Sequence, residues 1–300
     1  MNRLTVFRFR AALLSLLFLF ALTPAGFSGR AVVASDPVLF AVIGDGGTGE
    51  RPQYEVAEQM KAQRDKQKFD FVLMVGDNIY PDGHQSGFKA KFEEPYKDLL
   101  KDGVKFYAVL GNHDNRSGTE AQIHYDKFHM DGNRYYNFDK GKNLIEFFAL
   151  DSNDMDPKQI GWFEEKLKAS KATWKIAYFH HPIYSSGKFH GSDKTLRAKL
   201  EPLFVRYAVD VVFAGHDHVY ERVKPQLGVQ YFTEGASGQL RRGNLNRKTP
   251  FFEAGNDQIN SFLVVRADEA QLTVQAIGSN GVLLDSHTME KKKAAATTGV

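Results

Sequence analysis

Five times along this chain, in one order, an apolar, β-branched or aromatic run ends in a short polar cluster. The clusters are GDGG (Gly44–Gly47), GDNIY (Gly76–Tyr80), GNHD (Gly111–Asp114), FHHP (Phe179–Pro182) and GHDH (Gly215–His218). The runs before them, Val38–Ile43, Phe69–Val75, Lys105–Leu110, Trp174–Phe179 and Val209–Ala214, are short and continuous, as strands buried on both faces are. Tyr135–Asp139 and Leu144–Leu150, which ends at Asp151, read as further strands. Segments with helical spacing lie between: Gln53–Lys66, Phe88–Lys101, Pro157–Ser170 and Lys194–Tyr207. Pro95 must kink or divide the second, and Pro157 suits the first turn of the third. Residues 120–130 form a helix or a loop. After Gly215 the helices give way to strand candidates at Tyr220–Lys224, Gly228–Thr233, Phe262–Ala267, Leu272–Ile277 and Val282–His287, with 239–258 as the longest loop. Alternation followed by strands predicts an α/β sandwich, sheets inside and helices outside.

The two ends stand apart from this pattern. Arg3, Arg8 and Arg10 precede the apolar run Ala11–Leu22, and small residues follow at Ala31–Ser35, which describes a secretory signal peptide over 1–34. Cleavage is expected after Ala34, or within Gly26–Gly29. The alternative is an uncleaved anchor helix, for which the run is short against the roughly 20 residues that span a bilayer. Residues 35–289 then form the domain, and 290–300 a polar, disordered tail. The signal carries four Arg and no acid, so the mature chain holds 35 Lys+Arg against 36 Asp+Glu, or −1, where the whole chain is +3. Near-zero charge gives no argument for nucleic acid or a membrane surface as partner. Arg241, Arg242, Arg247 and Lys248 make a local basic loop that reads as solvated. With no cysteine, thiol nucleophiles and Cys-based zinc sites are excluded. Export to a periplasm or beyond the cell is the expected localisation.

Ligand sites in open α/β sheets lie at the carboxyl ends of strands. Asp45, Asp77, Asn112, His180, His216 and His218 all fall just past a predicted strand, and Tyr80 follows three residues after Asp77. Glycines before several of them permit tight turns or close backbone approach. Two Asp, a Tyr, an Asn and several His at strand ends are the donor set of two metal ions sharing one bridging carboxylate, which makes a two-metal phosphoester hydrolase the leading reading.

These residues resemble the calcineurin-like metallophosphoesterases, and within them the purple (tartrate-resistant type) acid phosphatases, over roughly 38–240 and more weakly to about 287. Asp45 is followed by Gly46 and Gly47 where many relatives in the wider superfamily carry an Asp-x-His motif, and Tyr80 stands where the purple enzymes place a metal-binding tyrosinate. The resemblance implies a four-layer α/β/β/α sandwich with mixed sheets. It implies that Asp45, Tyr80 and His218 bind Fe(III), that Asn112, His180 and His216 bind a second divalent ion (Fe, Zn or Mn), and that Asp77 bridges both. His180 is preferred to His181 because it lies two residues before Pro182. The implied activity is acid hydrolysis of phosphate monoesters by a metal-bound hydroxide. His113 then holds the phosphate or protonates the leaving oxygen, His190 meets the substrate, and Asp114 orients a His. Asp151 is expected in a turn, and Glu234, Gly235 and Ser237 in a turn lining the site. His84, His124, His129, His181 and His287 are expected to be structural or at the surface. Expected partners are small phosphate esters only, with no nucleic acid, no stable membrane anchor after cleavage, and a monomeric chain. The rivals are a Mn- or Zn-dependent phosphodiesterase of the same superfamily and a non-catalytic metal-binding protein.

Overall fold

The computed structural model describes residues 36–291. The expected signal segment, and the tail beyond Lys291, lie outside the described residues. Thirteen strands form two sheets. They are β1 (Val38–Ile43), β2 (Phe71–Met74), β3 (Lys105–Ala108), β4 (Tyr136–Lys140), β5 (Ile145–Ala149), β6 (Trp174–Tyr178), β7 (Val211–Ala214), β8 (Tyr220–Val223), β9 (Gln230–Glu234), β10 (Phe252–Asn256), β11 (Ser261–Ala267), β12 (Gln271–Gly278) and β13 (Leu283–Glu290). The helices are α1 (Arg51–Lys66), α2 (Lys97–Lys101), α3 (Asp114–Ser117), α4 (Thr119–Ile123), α5 (Pro157–Ala169) and α6 (Lys194–Arg206).

One sheet has the order β13-β12-β11-β1-β2-β3, the other β10-β8-β9-β7-β6-β5-β4. In the first, β1, β2 and β3 are parallel and β11 is antiparallel to β1. In the second, β5, β6, β7 and β9 are parallel. Both sheets are therefore mixed.

Alternate residues of each central strand supply two different cores, as a period of two requires. Phe40, Val42, Phe71 and Leu73 face Phe147, Ile176, Tyr178 and Phe213 between the sheets. Ala41, Ile43, Val72 and Met74 pack outward with Val56 and Met60 of α1 and with Phe92 and Leu99. Phe148, Ala177 and Val212 pack outward on the other side with Phe163 of α5 and Leu200 and Phe204 of α6. Each central strand is buried on both faces, which is why it reads as an unbroken apolar run. Helix, sheet, sheet and helix make the four-layer sandwich.

Pro95 does divide its segment: a five-residue π-turn at Lys89–Glu93 precedes it and α2 follows. The expected loop 239–258 contains β10, an edge strand paired only with β8. The last strand outruns its expected end, continuing through Glu290, so the boundary expected at 289 falls inside β13.

Candidate metal centre

The parallel strands aim their carboxyl ends at one place. Asp45 follows β1, Asp77 follows β2 and Asn112 follows β3; His180 follows β6 and His216 follows β7. Asp45, Asp77 and His216 all adopt positive φ (53°, 51° and 70°), so three donors stand on sharp left-handed turns. Such conformations cost free energy in non-glycine residues and persist where the surroundings enforce them. Two glycines clear the space. A Cβ on Gly76 (φ +96°) would lie 2.5 Å from His180 Nδ1, and one on Gly111 would lie 2.2 Å from Asp77 Oδ1.

The donors form two groups. In the first, the Tyr80 hydroxyl lies 2.8 Å from Asp77 Oδ2, 3.2 Å from Asp45 Oδ1 and 3.3 Å from His218 Nε2. His218 Nε2 lies 3.4 Å from Asp45 Oδ1. In the second, His180 Nε2 lies 3.0 Å from Asn112 Oδ1, 3.2 Å from His216 Nδ1 and 3.5 Å from Asp77 Oδ1. The predicted ligands Asp45, Asp77, Tyr80, Asn112, His180, His216 and His218 are thus all brought together, and Asp77 turns one oxygen to each group.

This donor set fits cations. One phenol proton cannot serve both the Asp45 and the Asp77 oxygen, so lone pairs face lone pairs around Tyr80. Burial, then the charges of Asp45 and Asp77, drive the Tyr80 phenol far above its ordinary range. Burial foremost pushes Asp45 up to about 7, against the opposing bond from His218. A cation among these oxygens reverses both effects. His180 donates Nδ1–H to the Val75 carbonyl at 3.0 Å, which leaves the Nε2 lone pair facing the second group. Burial holds His180 and His216 well below the usual imidazole range, in the neutral form that ligation needs. Metal bonds of about 2.0–2.2 Å set neighbouring donors about 3 Å apart, as they are here.

His113 lies beside the first group, its ring 4.6 Å from that of Tyr80. Its backbone N–H donates to Asp77 Oδ1 at 2.9 Å and its Nδ1 to the Pro81 carbonyl at 2.7 Å. His190 stacks on His216 at 4.0 Å and lines a cleft of about 290 Å³ with His181, Pro182 and Phe189. His181, expected to be a structural or surface residue, lies within reach of the second donor group. Its ring lies 4.5 Å from that of His216, and its Nδ1 is 2.8 Å from Ser152 Oγ. The spacing to Pro182 singles out His180 as the ligand, but it gives no sign that His181 also faces the site.

Asp114 does not orient a His. Its buried carboxylate accepts N–H bonds from Asn78, Ile79, Gly111 and Gln122, tying the Asp77 loop to the Asn112 loop. Asp217, which sequence reasoning passed over, does the same on the other side. Its Oδ2 accepts from Ser185 Oγ at 2.6 Å and from Gly191 N–H at 3.0 Å, holding the loop that carries His190. Its signal was its place between two ligand candidates. Asp151 is more than a turn residue: its buried carboxylate pairs with Arg134 Nε at 2.6 Å and accepts the backbone and side-chain N–H of Asn153. Ser237 Oγ accepts the Gly44 N–H, and Glu234 accepts from Ser261, so both back the β1 exit.

Comparison with known proteins places the chain in a family. Residues 38–220 match the family model described as calcineurin-like phosphoesterase. Purple acid phosphatase 17 of Arabidopsis thaliana is 32% identical over 243 residues, covering 71% of this chain and 72% of the relative. Tartrate-resistant acid phosphatase type 5 of Oryctolagus cuniculus is 26% identical, covering 87% and 94%. Among solved structures, GAP50, described as the anchor in the inner membrane complex of Plasmodium, aligns with a TM-score of 0.75 at 22% identity, covering 86% of this chain and 90% of that one. The last likeness concerns the fold alone. The chain belongs to the calcineurin-like phosphoesterases and, within them, to the purple acid phosphatases. It is accordingly a phosphoester hydrolase.

Proposed function

We propose that this chain is an exported binuclear-metal acid phosphatase acting on small phosphate monoesters. The observation that carries the proposal is the two-sided placement of Asp77, with Oδ2 at 2.8 Å from the Tyr80 oxygen and Oδ1 at 3.5 Å from His180 Nε2. Asp45, Tyr80 and His218 hold Fe(III), for which carboxylate and phenolate are hard donors; Asn112, His180 and His216 hold a divalent Fe, Zn or Mn. When bound, the two ions activate water in mild acid and neutralise the phosphoryl oxygens.

The chain's own residues do the remaining work. Asp77 couples the two donor groups. With Nδ1–H fixed on the Pro81 carbonyl, the protonated His113 ring has one Nε2–H to give, and it delivers this proton to the leaving oxygen. His190, which lines the cleft beside His216, orients the ester. Export to a periplasm or beyond the cell rests on the basic start and the apolar run Ala11–Leu22.

The test is the visible spectrum and metal content of the mature protein, before and after mild reductant, with an aryl phosphate assay at acid pH. An iron-dependent purple band that turns pink on reduction, together with acid monoesterase activity, is expected. A colourless, iron-free protein that cleaves only diesters with added Mn refutes it.

A further inference from the structure

Four planar side chains form a column leading away from the metal centre. The His216 ring meets His190 at 4.0 Å, His190 meets Phe189 edge-on at 4.6 Å, and the Arg241 guanidinium carbon lies 3.5 Å from the Phe189 ring centre. Phe189 is 65% exposed although large and apolar, and it lines the cleft beside His216. A ring left in water at a cleft needs a reason, and stacking a cation is one.

The outer members are held firmly. Asn244 Oδ1 accepts the N–H groups of Lys188 (3.1 Å) and Phe189 (3.0 Å), and Gly187 bridges to Leu245. Arg241 donates its own backbone N–H to the His218 carbonyl at 2.9 Å, which anchors it beside a metal donor. Yet the guanidinium has no acidic partner: among the described residues no carboxylate forms a salt bridge with Arg241. Its Nη1 is shielded from solvent and makes no hydrogen bond. With Nη1 closed to solvent, an incoming anion meets the guanidinium at its other nitrogens, none of which is shielded or paired to a carboxylate among the described residues. The basic loop that reads as solvated in the sequence therefore places one cation, Arg241, at the rim of the site.

We propose that Arg241, shelved on Phe189, binds a second anionic group on the leaving-group side of the substrate. The preferred substrates are then phosphoesters that carry a further phosphate or carboxylate. A guanidinium is planar and matches either anion bidentately, and a stacked one is already oriented. This rests on the phosphatase reading, because the scissile phosphoryl group must sit at the metal centre.

The experiment measures kcat/KM at acid pH for phenyl phosphate, 4-carboxyphenyl phosphate and a nucleoside 3′,5′-bisphosphate, in the wild type, Arg241→Gln, Arg241→Lys and Arg242→Gln, all metal-loaded. Arg241→Gln should lower kcat/KM for at least one doubly anionic ester roughly tenfold to a hundredfold more than for phenyl phosphate, mainly through KM, with metal content unchanged. Arg241→Lys should recover part of the loss. Arg242, exposed and bonded only to the Gln258 carbonyl, is the control, and its substitution should leave the three ratios alone. If all three substrates fall by one factor in Arg241→Gln, or none falls, the subsite is refuted while the phosphatase reading stands. A wild type inactive on every ester overturns both.

Discussion

Asp114→Asn is the substitution whose cost can be worked out atom by atom. The carboxylate is fully buried. Its Oδ2 accepts from Asn78 N–H at 3.0 Å and Gly111 N–H at 2.8 Å, and its Oδ1 from Ile79 N–H at 3.1 Å and Gln122 Nε2 at 2.8 Å. Asparagine keeps the shape but turns one oxygen into an NH₂. Placed at Oδ2, that NH₂ faces two backbone donors; placed at Oδ1, it faces Ile79 N–H and the Gln122 amide. Gln122 cannot turn over to help, because its Oε1 accepts from Asn78 Nδ2 at 3.0 Å and its Nε2 also donates to the Gly83 carbonyl at 3.1 Å. Either way two bonds to a charged acceptor vanish. At about 1.5–3 kcal/mol for each such bond, the cost is about 3–6 kcal/mol. Typical domains are stable by only roughly 5–15 kcal/mol.

One effect runs the other way. Burial, and next the charge on Asp77, push the Asp114 carboxyl up to about 7, so removing its charge relieves some repulsion. The assay is therefore urea unfolding at pH 8, where the wild-type group is ionised, on metal-free protein, so that ion binding does not mask the difference. The two loops tied by Asp114 carry Asp77, Tyr80 and Asn112, so the variant should also retain less metal after dialysis. A loss below about 1 kcal/mol, with normal metal retention, refutes the view that this carboxylate holds the loops together.

Tyr80→Phe should remove the visible band while leaving the protein folded; a band of unchanged intensity rules out Tyr80 as the chromophore. His113→Ala should keep its metals and lose roughly 10²–10⁴-fold in kcat on esters with poor leaving groups, and full activity would sink its role as proton donor. Glu234 supplies a pH test at a carboxyl outside the donor set, with the neighbouring Asp45 a lesser influence than burial. Burial foremost raises its carboxyl from 4.5 to about 8, so between those values the fold keeps a proton that the unfolded chain has released. Stability of the metal-free protein should fall as pH rises through that window. Glu234→Gln, with no proton to lose, should flatten the slope of melting temperature between pH 5 and pH 8, and an unchanged slope counts against the assignment.

What the sequence could and could not disclose follows from the range of the interactions. Strands β1, β2, β3, β6 and β7 are legible because burial on both faces makes them continuous, and a polar cluster marks each exit. The donors are legible because each one sits at such an exit. β10 is not: Phe252–Asn256 is a partly exposed edge strand with a glycine and no apolar alternation. Asp114 is visible as a residue near the site, but its partners Asn78 and Ile79 lie 36 and 35 positions away on another loop. His181 sits next to His180, and only the path of the chain beyond β6 turns its ring onto His216. Arg241 looks solvated in a basic run because Phe189, which carries it, is distant in sequence and adjacent only in the fold.

Asp114 and Asp217 raise a question of charge that the proposed metal pair answers. Each is fully buried, each stands one or two positions from a ligand, and each gathers donors from two loops. Burying anions beside Asp45 and Asp77 is unfavourable in a metal-free site: burial foremost, with the charge of Asp77 adding to it, raises both Asp45 and Asp114. The proposed Fe(III) and divalent ion would bring five positive charges, and two carboxylates with a phenolate would return three. Two positive charges would then remain, which the carboxyl groups of Asp114 and Asp217 are placed to match. The same carboxylates that fix the loops then balance the centre. On this account the metals stabilise the outer acids as well as the inner ones, and the rigidity of the loops and the occupancy of the site depend on each other.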